Sequence, residues 1–218
     1  MIEEFSLIGE TMLVSGLIGT HGGSMSVRRG NNLLITREGA MLSALKGDDV
    51  IEVPLESGGD DGGASRELVV HRAIYKNHKA NAVIQAFPPE AIAISISDSK
   101  LVPQDAVGQS LFRGVPVVRA GRAIASDDVA RILPGLVSGT NGVALVKGYC
   151  SFAFGKDLNE ACKLSSALEI SSKVLIASRS TSGGRERPQR PQQQHQGRRS
   201  AIPPGIGVMD RSRNRRRR

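Results

Sequence analysis

Two pairs of short apolar runs, each joined by a turn of a few residues, constrain this chain's fold more than any other feature. Ser24–Arg28 and Asn32–Thr36 flank Arg29-Gly30-Asn31, and Gly142–Val146 and Ser151–Phe154 flank Lys147–Cys150. Strand-like runs separated by so little chain read as antiparallel hairpins. Val50–Pro54, Asn81–Ala86 and Val115–Arg119 read as further strands. Helical patterns lie between them. Phe5, Ile8, Met12 and Leu13 share one face of residues 2–18, and a second helix runs from a cap at Ser65 to about Asn77. Others are expected over Glu90–Ser97 behind Pro88 and Pro89, from Ser126 to about Leu136, and over Leu158–Ala177. Hairpins mixed with helices give a layered α/β domain whose sheet is mixed and largely antiparallel.

The pattern stops near residue 178. Residues 179–218 hold twelve arginines, no lysine and two acids (Glu186 and Asp210), a surplus of ten positive charges. The whole chain carries +8, so residues 1–178 are net negative by two. The segment is rich in Gly, Pro and Gln and has too little apolar surface to offset chain entropy. A folded domain over 1–178 and a disordered basic tail over 179–218 are therefore expected. Clustered arginines suit RNA or another polyanion, and with no aromatic residue in the tail, binding would tolerate any sequence and depend strongly on salt. A solvated extension without a partner and an accident of the reading frame are the alternatives.

Two cysteines, Cys150 and Cys162, make no disulfide framework. The opening MIEEFSLIGE lacks a basic stretch, so no secretory signal is expected. No apolar run approaches the roughly 20 residues of a membrane span. A cytoplasmic protein follows as the expectation. With no Trp and 3% aromatics, the core must come from Val, Ile, Leu and Ala.

Three stretches carry a family resemblance. GTHGGSMSVRRGNNLLITREG (19–39) resembles a Gly-Asn-aliphatic-Ser-Val-Arg strand and its Ile-Thr-Pro-(Ser/Thr)-Gly loop. ASRELVVHRAIYKNHKANAVIQAFPPEAIAIS (64–95) resembles a Ser-Ser-Glu helix and a strand ending His-x-His. GVALVKGYCSFAFGKDLNEACKLSSALEISSKVLI (142–176) resembles an Asn-His-Gly hairpin and a closing helix. In this order they resemble the class II aldolase/adducin family. The resemblance implies a three-layer class II aldolase-type domain, a mixed, mostly antiparallel sheet with helices on both faces, and a homotetramer with sites at subunit interfaces. It also implies zinc held by three histidines, which stabilises an enediolate while a glutamate moves protons. Glu67 matches that glutamate, and Gly23, Ser24, Gly39 and Ser65 match phosphate-holding positions.

The ligand positions depart from the pattern. Gln85 and Phe87 stand where the strand should end His-x-His, and Tyr149 where the hairpin should carry histidine. Phe87 has no donor atom, an amide is a weak zinc ligand, and a phenol titrates near about 10. No metal site is expected there, with zinc only if the family activity persists. Glu38 replaces a loop Ser or Thr and would aim a carboxylate at a bound phosphate, while Arg66 replaces the middle Ser of Ser-Ser-Glu.

Blander readings compete at each position. Glu67 could be an ordinary first-turn acid favoured by the helix dipole, with His71 its partner one turn on. A relocated metal site would need His21, His71 and His78, yet His21 lies in a Gly-rich turn and His78 should face water. Cys150 reads as buried filler rather than a reactive thiol. Gly22-Gly23 lacks any dinucleotide or P-loop spacing. The residues favour a non-catalytic binding or assembly protein with a polyanion-binding tail. The alternative is an aldolase-like carbon–carbon lyase acting on a small sugar phosphate, with Glu67 as proton carrier.

Overall fold

A computed structural model describes residues 2–56, 61–121, 126–139 and 142–183. The strands are β1 (Ser24–Arg29), β2 (Asn32–Thr36), β3 (Val50–Pro54), β4 (Ala82–Ala86), β5 (Lys100–Leu101), β6 (Val115–Val118), β7 (Gly142–Val146) and β8 (Cys150–Gly155). They form one sheet in the order β3-β2-β1-β4-β8-β7-β6-β5, and every neighbouring pair is antiparallel except β6 and β7. Both expected hairpins are present, β1–β2 and β7–β8.

The helices are α1 (Ile2–Val14), α2 (Leu68–Asn77), α3 (Pro89–Ser97), α4 (Ala106–Leu111), α5 (Ser126–Ile132) and α6 (Leu158–Gly183). Side chains alternate across the pleat, so each central strand feeds two cores. On one face Met25, Ile84, Leu145 and Ala153 pack with Phe5 and Met12 of α1, Ile94 of α3 and Leu168 of α6. On the other, Val83, Ala144, Phe152 and Phe154 pack with Val70 and Ile74 of α2 and Val129 of α5. This is the expected three-layer α/β architecture.

Several boundaries move. α1 ends at Val14, because Ser15 and Gly16 close it in a turn and Gly16 takes a positive φ of 69°. α2 begins at Leu68, not Ser65, and Glu67 occupies its N-cap position without a side-chain cap bond. Ser65 instead forms a local turn, its Oγ accepting from the Glu67 N–H at 3.3 Å. α6 continues past Ala177 to Gly183, and Arg179 on it pairs with Asp98 at 2.6 Å. The expected flexible loop at 57–63 lies outside the described residues over 57–60. Residues 179–183, expected to belong to the disordered tail, continue α6, and the rest of that tail, from 184 onward, lies outside the described residues.

Candidate active site

The antiparallel register places Ser24 of β1 directly opposite Gln85 of β4, and α2 lays His71 over the same face. These three side chains are buried, at 0%, 3% and 0% exposure. Ser24 donates to Gln85 Oε1 at 3.3 Å and lies 2.9 Å from His71 Nε2. His71 Nδ1 lies 2.7 Å from Ser26 Oγ, and Ser26 Oγ lies 2.9 Å from the Tyr75 hydroxyl. Because Ser24 spends its one proton on Gln85, His71 must donate to it from Nε2 and accept from Ser26 at Nδ1. Hydrogen bonds thus run in one direction, from Ser26 through His71 and Ser24 to the Gln85 carbonyl, while the Tyr75 hydroxyl donates to the Ser26 backbone carbonyl at 2.9 Å. Burial drives the His71 pKa down to about 3, so the ring is neutral.

Above this network lies a cleft of about 230 Å³, lined by residues that include Gly23, Gly39, Ser65, Glu67, Gln85, Phe87 and Tyr149. Four loops and one strand end build it. Gly23 ends the first loop at φ 91°, and a Cβ there would sit 2.9 Å from the Gln85 carbonyl oxygen, so glycine lets β1 approach β4 at the cleft floor. The turn between β7 and β8 brings Tyr149 over Glu67, and the phenol donates to Glu67 Oε1 at 3.0 Å. Burial raises the Glu67 pKa, opposed by hydrogen bonds from Ser126 and Tyr149. Burial also raises that of Tyr149, and the neighbouring Glu67 charge adds to it, so the phenol stays protonated.

The structure brings Glu67 together with all three positions where the family pattern has histidine. Gly23, Gly39 and Ser65 also reach the cleft. Ser24 does not fit a phosphate-holding role, because its hydroxyl is committed behind the cleft to His71 and Gln85. Glu38 does not project freely toward a ligand either. Arg66 grips it through Nε at 2.7 Å, Nη2 at 2.5 Å and its backbone N–H at 2.8 Å. Partial desolvation of Glu38 is outweighed by these bonds, and its pKa falls. The two charged departures at Glu38 and Arg66 are thus each other's partners. Opposite signs at two loop positions of one site were the signal in the sequence.

His71 does not pair with Glu67, as helical spacing had suggested; its partners come from β1. Nor do the histidines assemble. His71 is sealed in the core, His21 faces the Gly39 carbonyl at 3.2 Å, and His78, half-buried, stacks on Phe154 with ring centroids 4.8 Å apart. Cys150 is fully buried, and burial pushes its thiol pKa up. No group of three or more His, Cys, Asp or Glu side chains stands close enough to hold a metal among the described residues.

The family positions fit zinc poorly in their own chemistry. Gln85 turns its only ligating oxygen to Ser24, Phe87 has no donor, and the Tyr149 phenol is a hydrogen-bond donor held protonated by burial. No step through a metal follows from this donor set.

The profile of the family described as Class II Aldolase and Adducin N-terminal domain matches residues 3–176, and the chain belongs to that family. An L-fuculose-1-phosphate aldolase structure from Thermus thermophilus superposes with a TM-score of 0.79 at 34% identity, over 85% of this chain and 97% of that one. The L-fuculose phosphate aldolase of Methanococcus maripaludis is 27% identical over 152 residues, 68% of this chain and 81% of its own length. A sugar-phosphate aldolase from Thermotoga maritima shares the fold, with a TM-score of 0.64 at 18% identity, over 85% of this chain and 97% of that one. No helix among the described residues is long and apolar enough to cross a membrane.

Proposed function

We propose that this protein is a class II aldolase-family member that binds a small molecule in the Glu67 cleft without zinc-dependent aldol cleavage. One observation carries this reading. The three converging ligand positions present a committed amide oxygen, a phenyl ring and a protonated phenol. Without a cation, an enediolate in this cleft would lack its main electrostatic stabiliser. Gly23, Gly39 and Ser65 would contact the ligand, with Glu67 as its acceptor.

The second reading is a carbon–carbon lyase acting on a small sugar phosphate, with Glu67 as proton carrier. It is favoured by the 34% identity to the Thermus aldolase over 97% of that chain. An assay of retro-aldol cleavage of L-fuculose 1-phosphate, with and without added zinc, separates the two. No turnover in either condition is expected. Zinc-dependent turnover abolished in Glu67→Gln would overturn the binding reading.

Two further roles belong to the same proposal. The arginines of 179–218 would hold a polyanion such as RNA, and binding should fall steeply with salt. Unchanged RNA affinity in a full chain whose tail arginines are replaced by glutamine would remove that role. A homo-oligomer, a tetramer by family resemblance, would be seen by light scattering, and a monomer would contradict it.

A further inference from the structure

A ring of polar side chains leaves α2 at His71 and returns to it at Glu67. His71 Nε2 lies 2.9 Å from Ser24 of β1, and Ser24 donates to Gln85 Oε1 of β4 at 3.3 Å. The other end of the Gln85 amide meets the turn between β7 and β8. There it partners the Tyr149 phenol oxygen and the Cys150 sulfur. Tyr149 in turn donates to Glu67 Oε1 at 3.0 Å. Glu67 and His71 stand one helical turn apart, joined by the His71 N–H on the Glu67 carbonyl at 3.1 Å.

The orientation of the Gln85 amide decides what Tyr149 can do, because a phenol has one proton. With the amide nitrogen toward it, the Tyr149 oxygen accepts from Gln85 and its proton goes to Glu67. A flipped amide would set the Gln85 oxygen against the phenol, where it and the Glu67 carboxylate would compete for that proton. The amide nitrogen would then donate to Ser24, Ser24 would donate to His71 Nε2, and the ring proton would sit on Nδ1, facing Ser26. Amide orientation, His71 tautomer and the Tyr149–Glu67 bond are therefore one choice. The core gives the ring no room to turn, since His71 is at 0% exposure and meets Phe152 edge-on, with centroids 6.0 Å apart.

We propose that His71 is a positioning residue for the cleft, whose Nε2–H tautomer holds the Tyr149 phenol on Glu67 through Ser24 and the Gln85 amide. The proposal rests on the binding reading above for the role of Glu67 as the ligand's acceptor, and adds the residue that keeps this acceptor covered. His71 itself touches no ligand. Its neutral ring keeps a donor on one nitrogen and an acceptor on the other, which a protonated ring would not.

The test uses the ligand-free full chain with isotopically labelled histidine. In nitrogen NMR the His71 signals, identified by their loss in His71→Gln, should show a protonated Nε2 and a bare Nδ1 at neutral pH. Tyrosine fluorescence reads the other end of the ring. The chain has no tryptophan and two tyrosines, and a carboxylate hydrogen-bonded to a phenol quenches it. His71→Leu fills the space but cannot hold Ser24, so the amide is released and emission should rise. The rise should vanish when Tyr149→Phe is added, which assigns it to Tyr149 and not Tyr75. His71→Gln restores a donor near the Nε2 position and should return emission toward that of the wild type. A protonated Nδ1, unchanged emission in His71→Leu, a rise that survives Tyr149→Phe, or emission in His71→Gln as high as in His71→Leu would each overturn the proposal. Should His71→Leu fail to fold, the wild-type tautomer still decides. None of these outcomes touches the binding reading, which falls to zinc-dependent turnover.

Discussion

His71→Gln probes the buried network through its pH dependence. In the folded chain the ring stays neutral down to about pH 3, while the free side chain titrates near 6.5. Below pH 6.5 the unfolded state therefore binds a proton that the folded state refuses. Stability from the neutral ring is complete above 6.5 and lost as pH falls toward 3. At about 1.4 kcal/mol per pH unit, lowering the pH from 6.5 to 5 should cost the wild type about 2 kcal/mol through this one group. The variant lacks the titrating ring, so subtracting the two proteins cancels the carboxylates common to both. Urea unfolding followed by circular dichroism at about pH 7.5 and about pH 5 gives the number. The wild type's advantage should shrink by about 2 kcal/mol between the two conditions. A constant advantage would show that His71 titrates alike in both states, and the one-way network built on a neutral ring would be wrong.

Other perturbations follow from local geometry. Buried Glu169 on α6 accepts from the Ala91 N–H at 3.2 Å, and burial, with Glu90 beside it, raises its pKa to about 7. A raised carboxyl stabilises the fold fully below its unfolded value of 4.5 and loses that contribution as pH rises through 7. Glu169→Gln should therefore gain about 1–2 kcal/mol on the wild type between about pH 5 and 8, because Lys173 offsets part of the charge, and thermal melts across that range would check it. Gly9→Ala would place a Cβ 1.8 Å from the Leu42 carbonyl oxygen, so α1 must shift and about 2–3 kcal/mol should be lost in urea unfolding. Asp61→Asn removes the charge facing the Arg72 guanidinium, which is 8% exposed, and should cost about 1–3 kcal/mol, read as a lowered midpoint in urea.

Much of the architecture was legible because strand alternation is local. In β4 the run Ala82-Val83-Ile84-Gln85 sends successive residues to opposite cores, and the register of both hairpins follows from their short turns. β5, with two residues, and α4, with six, were not legible, since neither is long enough to show a period. Motif order placed Glu67, Gln85, Phe87 and Tyr149 at one site before any coordinates, because a family pattern encodes spatial convergence. The partners of His71 were hidden for the opposite reason. Ser24 and Ser26 lie 47 and 45 residues away, and only the β1–β4 register and the placement of α2 bring them to the ring. The Arg66–Glu38 clamp spans 28 residues, and each residue taken alone read as a defect in a phosphate loop.

The central claim is that the cleft keeps the family's geometry but not its metal. Equilibrium dialysis of the full chain against zinc, followed by elemental analysis, tests it most directly. The donor set of Gln85, Phe87 and Tyr149 predicts that no zinc is retained at this cleft, with the same content in wild type, Gln85→Met and Tyr149→Phe. One tightly held zinc per chain that is lost in either variant would contradict the account.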